Sequence, residues 1–290
     1  MPGFMRIRVW DVEHGCCVMV NHVTFVGLSQ VAGGRLAMID SGSSAKFQPS
    51  KYIRAIGRSR LDYLFITNAD QDHMSDLKGL GDAGIEVATL IRNPSYTGDQ
   101  MRQIKLVSGP LSNDASWYVK ACDNYTGGPP ETPFDQGMNG ITYKSFWNSY
   151  PQFTDTNNLS LAVFIKYNGF KMLFPGDLEN VGWHALLKRS DFRTELAGTK
   201  VLMASHHGRA SGYCEDIFQY FRPDCVVISD KPMVHSTQEM IPDYRRVIRD
   251  SGVRVRTTGK NRHVLTTRRD GWIQLDVDVQ NYYINTEFKG

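Results

Sequence analysis

Short apolar runs recur along the whole chain, separated by Gly, Pro, Asn and Asp. They predict strands over Arg6–Val12, Cys17–Val26, Arg35–Asp40, Tyr63–Thr67 and Val87–Arg92. The pattern returns at Ile141–Trp147, Leu159–Tyr167, Lys171–Phe174, Val201–Ala204, Cys225–Ser229, Val253–Thr257 and Val264–Thr267. Several runs alternate apolar and polar positions; others are apolar throughout, as strands covered on both faces are. Helices are predicted between them, over Ser50–Gly57, His73–Asp82, Asn113–Cys122, Glu179–Lys188, Ser211–Phe221 and Gln238–Asp250. Many strands with interspersed helices, the first strands forming hairpins, indicate an α/β fold of two mixed sheets flanked by helices, an order that an αββα sandwich accommodates.

The segment Asn93–Gly140 is longer than a connection needs and contains the loop-like Gly127-Gly-Pro-Pro-Glu-Thr-Pro133, so an insertion or long loop is expected near 93–140. Whether it overhangs a site or forms a surface cluster of its own stays open. At 290 residues and 41% hydrophobic content, the chain is expected to form one domain over 1–290. No apolar run reaches the length of a membrane span and the N-terminus does not read as a signal peptide, so a cytoplasmic protein with no membrane partner is expected. Five cysteines at 16, 17, 122, 214 and 225 form no CxxC pair and read as buried, reduced thiols.

The chemistry is densest at Asn68-Ala-Asp-Gln-Asp-His73, which follows the apolar strand Tyr63–Thr67 and enters a helix. Several metal-competent side chains at the end of a buried strand are costly to place without a cation. Parallel strands release their ligand groups at their carboxyl ends. Three further clusters fit one site. Phe174-Pro-Gly-Asp177 ends a strand in a carboxylate, although a helix-capping Asp would read the same way. Ser205-His-His-Gly208 ends another in two imidazoles; one can bind metal while the other orients or receives a proton. Thr156-Asn-Asn-Leu-Ser160 offers Asn158 either as a ligand or as a turn cap. Asp40 is a strand-end carboxylate of the kind that orients a neighbouring ligand, and His235 and His263 are looser candidates.

Net charge is only +3, but its distribution is uneven. Arg245, Arg246, Arg249, Arg254, Arg256, Lys260, Arg262, Arg268 and Arg269 face only Asp243, Asp250 and Asp270 between Ile241 and Asp270. Such clustering suits phosphate recognition by a nucleic acid or nucleotide partner, and equally suits a solvated helix face beside a charge-protected edge strand.

In order along the chain, these segments resemble the metallo-β-lactamase fold, and within it the hydrolase domain of ComEC-type competence proteins. Asp11-Val-Glu-His-Gly15 is similar to that group's opening Asp-Val-Gly-Gln-Gly, and Ile39-Asp-Ser-Gly42 to its second strand. Thr67–His73 resembles Thr/Ser-His-x-Asp-x-Asp-His, with Asn68 at the first His. Asn158-Leu-Ser-Leu161 resembles Asn-x-Ser-Leu, Phe174–Asp177 resembles Thr-Gly-Asp, and Ser205–Gly208 with Ser211 resembles His-His-Gly-Ser. His235 stands where that group has Gly-His-Pro.

The group's multi-helix membrane channel has no counterpart here. The resemblance implies a metal-dependent hydrolase, with phosphodiesters favoured. Asp72, His73, Asp177 and one of His206 and His207 would hold a divalent metal, manganese or zinc. A second ion would draw on Asp70, Asn68 and Asn158, and oxygen-rich ligands shift preference from zinc towards manganese or magnesium. Asp72, His206 and His235 would carry the chemistry: an activated water attacks phosphorus, and His235 or the histidine not on metal protonates the leaving oxygen. Asp40 and Ser211 would support them. Two alternatives stay open, a hydrolase of small lactone or ester substrates and a catalytically weak or inactive protein acting as a binding or regulatory subunit.

Overall fold

The computed structural model describes residues 3–26, 29–127, 133–231 and 240–288. Its strands are β1 (Phe4–Val9), β2 (Val18–Val26), β3 (Ser29–Ile39), β4 (Tyr63–Phe65), β5 (Leu90–Ile91), β6 (Thr142–Trp147) and β7 (Leu161–Tyr167). They continue with β8 (Phe170–Phe174), β9 (Val201–Met203), β10 (Cys225–Ile228), β11 (Val264–Thr266), β12 (Ile273–Val277) and β13 (Tyr282–Thr286). One sheet runs β13-β12-β1-β2-β3-β4-β5 and the other β11-β10-β9-β8-β7-β6. Both are mixed: β1 to β3 form antiparallel hairpins and β3-β4-β5 are parallel, while β8 to β11 are parallel and β6-β7-β8 antiparallel.

Side-chain alternation produces four layers. Val18 and Val20 point between the sheets, where they meet Val163, Ile165 and Phe174, all within 2% of complete burial. Met19, Met38 and Leu64 point outward onto Ile53, Leu77, Leu80, Met101 and Tyr118. These come from the helices Pro49–Ala55, Leu77–Asp82, Gly98–Leu106 and Asn113–Asn124. On the opposite outer face Phe164, Leu173 and Leu202 pack on Trp183, Leu186, Phe192 and Tyr244. Each such side chain contributes about 1.5–3 kcal/mol through apolar area removed from water. Leu161–Ile165 is apolar at every position because both of its faces are covered. The result is an αββα sandwich of two mixed sheets flanked by helices.

Several expectations need correcting. Ser211–Phe221 forms no α-helix but the short 3-10 turns Ala210–Gly212 and Glu215–Gln219. The helix expected over His73–Asp82 is two pieces, Gln71–Met74 and Leu77–Asp82. Among the described residues the segment 93–140 carries two longer helices, Gly98–Leu106 and Asn113–Asn124, whose apolar faces cover a sheet, and the single turn Phe134–Gly137. Capping favours the two longer ones: Thr97 forms a reciprocal capping box with Gln100, and the Ser112 hydroxyl accepts from the Ala115 amide. Strands β12, whose Ile273-Gln-Leu-Asp-Val277 alternates, and β13, whose Tyr282-Tyr-Ile-Asn-Thr286 does not, lie outside the expected set; they extend the first sheet beyond β1. All five cysteines are buried and unpaired. No described helix is long and apolar enough to cross a membrane.

Candidate metal centre

The carboxyl ends of β3, β4, β8, β9 and β10 open at one end of the sandwich, and the loops leaving them supply the polar residues of the site. Asp40 follows β3 with φ +59, a left-handed conformation that swings its carboxylate under the next strand end. There it accepts the Thr67 amide (2.7 Å) and hydroxyl (2.5 Å), and Nδ1 of His73 donates to it at 2.7 Å. Asp40 is completely buried, so these donors replace water for its carboxylate. With Nδ1 committed, His73 turns Nε2 into the site. This carboxylate–histidine arrangement is the way proteins fix the tautomer and direction of a metal-binding imidazole.

His206 and His207 follow β9 with φ +50 and +54, two consecutive non-glycine residues in the left-handed region. Each such residue costs on the order of 1–3 kcal/mol. The strain sends the rings to different sides. His207 donates Nδ1–H to the Ser229 carbonyl (3.0 Å) and points Nε2 inward. His206 stays on the rim, where Nδ1 lies 3.1 Å from the Ser211 hydroxyl and 3.2 Å from Glu179 Oε1. Asp177, after β8, accepts nothing from its own helix; its amide bonds to Ser160 Oγ at 3.0 Å and its carboxylate faces the two inward imidazoles.

Asp72, His73, Asp177 and His207 each bring one ligand atom within 4.8 Å of the others, the group of that kind found among the described residues. His73 Nε2 lies 3.1 Å from Asp177 Oδ1, and His207 Nε2 lies 3.1 Å from Asp72 Oδ2. Both nitrogens are buried, yet neither makes a hydrogen bond of acceptable geometry. Four groups therefore converge on a common point rather than pairing with one another. The adjoining void of about 20 Å³, lined by Asp40, Thr67, His73, Asp177, His207 and Ser229 among others, has room for a single small occupant. Two neutral imidazoles and two carboxylates carry a charge that one divalent cation neutralises. The donor set fits such an ion on both counts.

Without a cation, protons must do that work. Burial opposes a charge on His73, but Asp177 and Asp40 push its imidazole well above the usual range. Burial likewise opposes His207, which Asp177 and Asp72 raise to about 9. The two carboxylates respond in the opposite direction. Burial would raise Asp72 and Asp177, but the imidazoles hold both well below the ordinary value.

The backbone behind the centre is equally specific. Gly15 has φ +124, and a β-carbon there would sit 2.2 Å from the Asp72 carbonyl oxygen. Cys16 N donates to that same oxygen at 3.3 Å.

The other residues singled out in the sequence stand outside the group of four. Asn68 accepts the Asp70 amide (2.7 Å) and donates to Asn157 (3.1 Å). Asp70 holds the Lys105 ammonium at 2.7 Å and the Thr156 hydroxyl at 2.9 Å. Asn158 accepts the Gly182 amide at 2.9 Å and donates to Asp155 at 3.0 Å. His206 Nε2 remains 4.0 Å from Asp177 Oδ2. His263 bonds to the Asp250 carbonyl. His235 lies outside the described residues.

Three rim residues escaped the sequence reading. His14, in the loop before β2, places Nε2 at 3.3 Å from Asp72 Oδ2; burial and the neighbouring His207 lower it to about 4. Arg209 spans the mouth, with Nη1 3.2 Å from His206 Nε2 and Nη2 3.4 Å from His14 Nε2. Its place directly after His206-His207-Gly208 was the available signal. Lys105, in the last turn of the helix Gly98–Leu106, offered none. In the Arg-rich segment, Arg246, Arg262 and Arg268 pair with Asp243, Asp270 and Asp230, whereas Arg245, Arg254, Arg256, Lys260 and Arg269 are exposed.

The metallo-beta-lactamase superfamily model matches residues 20–206, more than half of the chain. No curated protein sequence matches it. Among solved structures the chain is similar to a diphosphatase of the PhnP family, with 10% identity, 96% of this chain and 98% of that one covered, and TM-score 0.44. It is also similar to Igni18, a metallo hydrolase from the archaeon Ignicoccus hospitalis (17% identity, 85% and 87% covered, TM-score 0.37). A third is a variant of CmlA, a diiron beta-hydroxylase from Streptomyces venezuelae (13% identity, 93% of this chain and 54% of that one, TM-score 0.47).

Proposed function

The chain belongs to the metallo-beta-lactamase superfamily, and from that premise we propose that it is a metal-dependent hydrolase of phosphodiester bonds, similar to the ComEC-type group. Asp72, His73, Asp177 and His207 would hold the ion, manganese or zinc. When bound there, it supplies Lewis acidity and acidifies a water molecule.

The observation that carries the phosphodiester reading is Arg209. This half-buried guanidinium touches two imidazoles and, among the described residues, pairs with no carboxylate. Burial lowers both His14 and His206, so the rings are neutral near pH 7 and leave the cation's charge uncompensated. A fixed guanidinium fork at the mouth of a carboxylate-rich centre is suited to an anionic, planar-oxygen substrate such as a phosphate ester. A neutral lactone has no use for it.

Each of this chain's residues has a defined task in that reading. Asp40 and Thr67 hold His73 in one tautomer, and the Ser229 carbonyl does so for His207. Nδ1 of His206 is hydrogen-bonded to the Ser211 hydroxyl, with Glu179 3.2 Å away, and Nε2 receives a donor N–H of Arg209 and aims it. His206 thereby positions Arg209 at the rim, and it is the member of the His206-His207 pair that stands outside the group of four. The exposed Arg245, Arg254, Arg256, Lys260 and Arg269 support a longer anionic partner, a nucleic acid or nucleotide.

The test is hydrolysis of bis(p-nitrophenyl) phosphate by manganese- or zinc-loaded protein, with Arg209→Met beside it. Phosphodiester turnover that falls on the order of a hundredfold in kcat/KM at unchanged metal content is the expected result. Turnover of a lactone but of no phosphodiester overturns the substrate, and turnover of neither overturns the enzyme.

A further inference from the structure

The superfamily scaffold invites a pair of ions, and the residues around Asp70 do not fit the second. Every group that would have to bind it is already committed within the protein. Both oxygens of Asp70 are engaged, one by the Lys105 ammonium at 2.7 Å and the other by the Thr156 hydroxyl at 2.9 Å. Both ends of the Asn68 amide are engaged, and so are both ends of Asn158. Lys105 has only 17% of its side chain exposed, so its charge is placed rather than free to move into solvent.

A divalent ion there would have to displace that ammonium and break two amide hydrogen-bond pairs. It would gain a single carboxylate and two neutral amide oxygens, a set without the imidazole that suits zinc, and for a harder ion such as manganese those oxygens are already taken. The two rim imidazoles, His206 and His14, each receive Arg209 on Nε2.

We infer that the centre holds one divalent cation, and that the position of a second is closed by Lys105, whose ammonium supplies the positive charge on the Asp70 side. The inference rests on the reading of Asp72, His73, Asp177 and His207 as a metal centre, and its test separates the two. Metal-stripped protein is titrated with manganese and, separately, with zinc by calorimetry, and ions per chain are counted by elemental analysis after desalting. The variants Asp70→Asn and Asp72→Asn are treated alike, each checked for cooperative thermal unfolding.

One ion per chain is expected in the wild-type protein. Asp70→Asn should retain one ion with affinity within about threefold of wild type, because Asp70 serves the lysine and not the ion. Asp72→Asn should lose the ion or bind it at least 100-fold more weakly. Two ions in the wild-type protein, one of them lost in Asp70→Asn, would overturn the single-cation centre and leave the metal centre standing. No ion in the wild-type protein would overturn the metal centre itself. The wild-type count decides the matter even if a variant fails to fold.

Discussion

Removing the metal should give the protein a stability that declines with pH. In the metal-free chain, His207 titrates at about 9, raised by Asp177 and Asp72 against the opposing effect of burial. An unfolded imidazole titrates near 6.5, so this group contributes about 3 kcal/mol of stability below pH 6.5. A raised imidazole loses that contribution as pH rises through its folded value, so the loss falls between pH 6.5 and 9. His73 is raised too and adds to the loss in the same sense within this window. Asp72 and Asp177 are depressed, and their contribution disappears only in acid, leaving this window unaffected. For a chain of 290 residues, unfolding entropy of about 0.6 kcal/mol/K converts the loss to about 5 °C in Tm. A divalent cation replaces the protons, so the loaded protein should hold its Tm or gain as pH rises. Scanning calorimetry from pH 6.5 to 9, with chelator and with manganese, reads both curves. His207→Asn should make the metal-free one shallower, leaving the slope that His73 contributes. A metal-free Tm that stays level or climbs across this window would refute the ion-quartet account.

Two further predictions follow from the support around the centre. Thr67→Val removes a 2.5 Å hydroxyl donor from the fully buried Asp40 and should cost about 1–3 kcal/mol in denaturant unfolding; it should also weaken metal binding by loosening His73, and a neutral result would show that water replaces the hydroxyl. Gly15→Ala forces a β-carbon into the Asp72 carbonyl at a backbone angle that L-residues avoid, so stability should fall by more than about 2 kcal/mol, or metal affinity should collapse; an alanine variant with wild-type Tm and affinity would show that the loop shifts freely.

Much of the sandwich was legible because its signal is local. Runs such as Leu161–Ile165 are apolar at every position, and only a strand covered on both faces reads that way. Hence β7 to β11 were found near their true bounds. The same holds for the residue types of the centre: Asp72, His73, Asp177 and the His206-His207 pair each end an apolar run. The 3-10 turns at Ala210–Gly212 and Glu215–Gln219 were misread as a helix, since apolar spacing over so short a stretch does not separate the two. Strand β12 carries a plain alternation, whereas β13, Tyr282-Tyr-Ile-Asn-Thr286, carries none and is a strand by virtue of its pairing with β12.

By itself, then, the sequence determined which strands end in metal-competent side chains, since placing ionisable groups at the end of a buried strand leaves a mark in the chain. Only the tertiary structure decided how those side chains divide. Consecutive left-handed residues send His207 inward and His206 to the rim, a choice that two adjacent identical letters cannot express. Lys105 reaches Asp70 from a helix 35 residues away, and Arg209 reaches His14 across 195 residues. Whether a carboxylate faces a cation site or a lysine depends on what folding brings beside it, because electrostatic partnership acts through space and not along the chain.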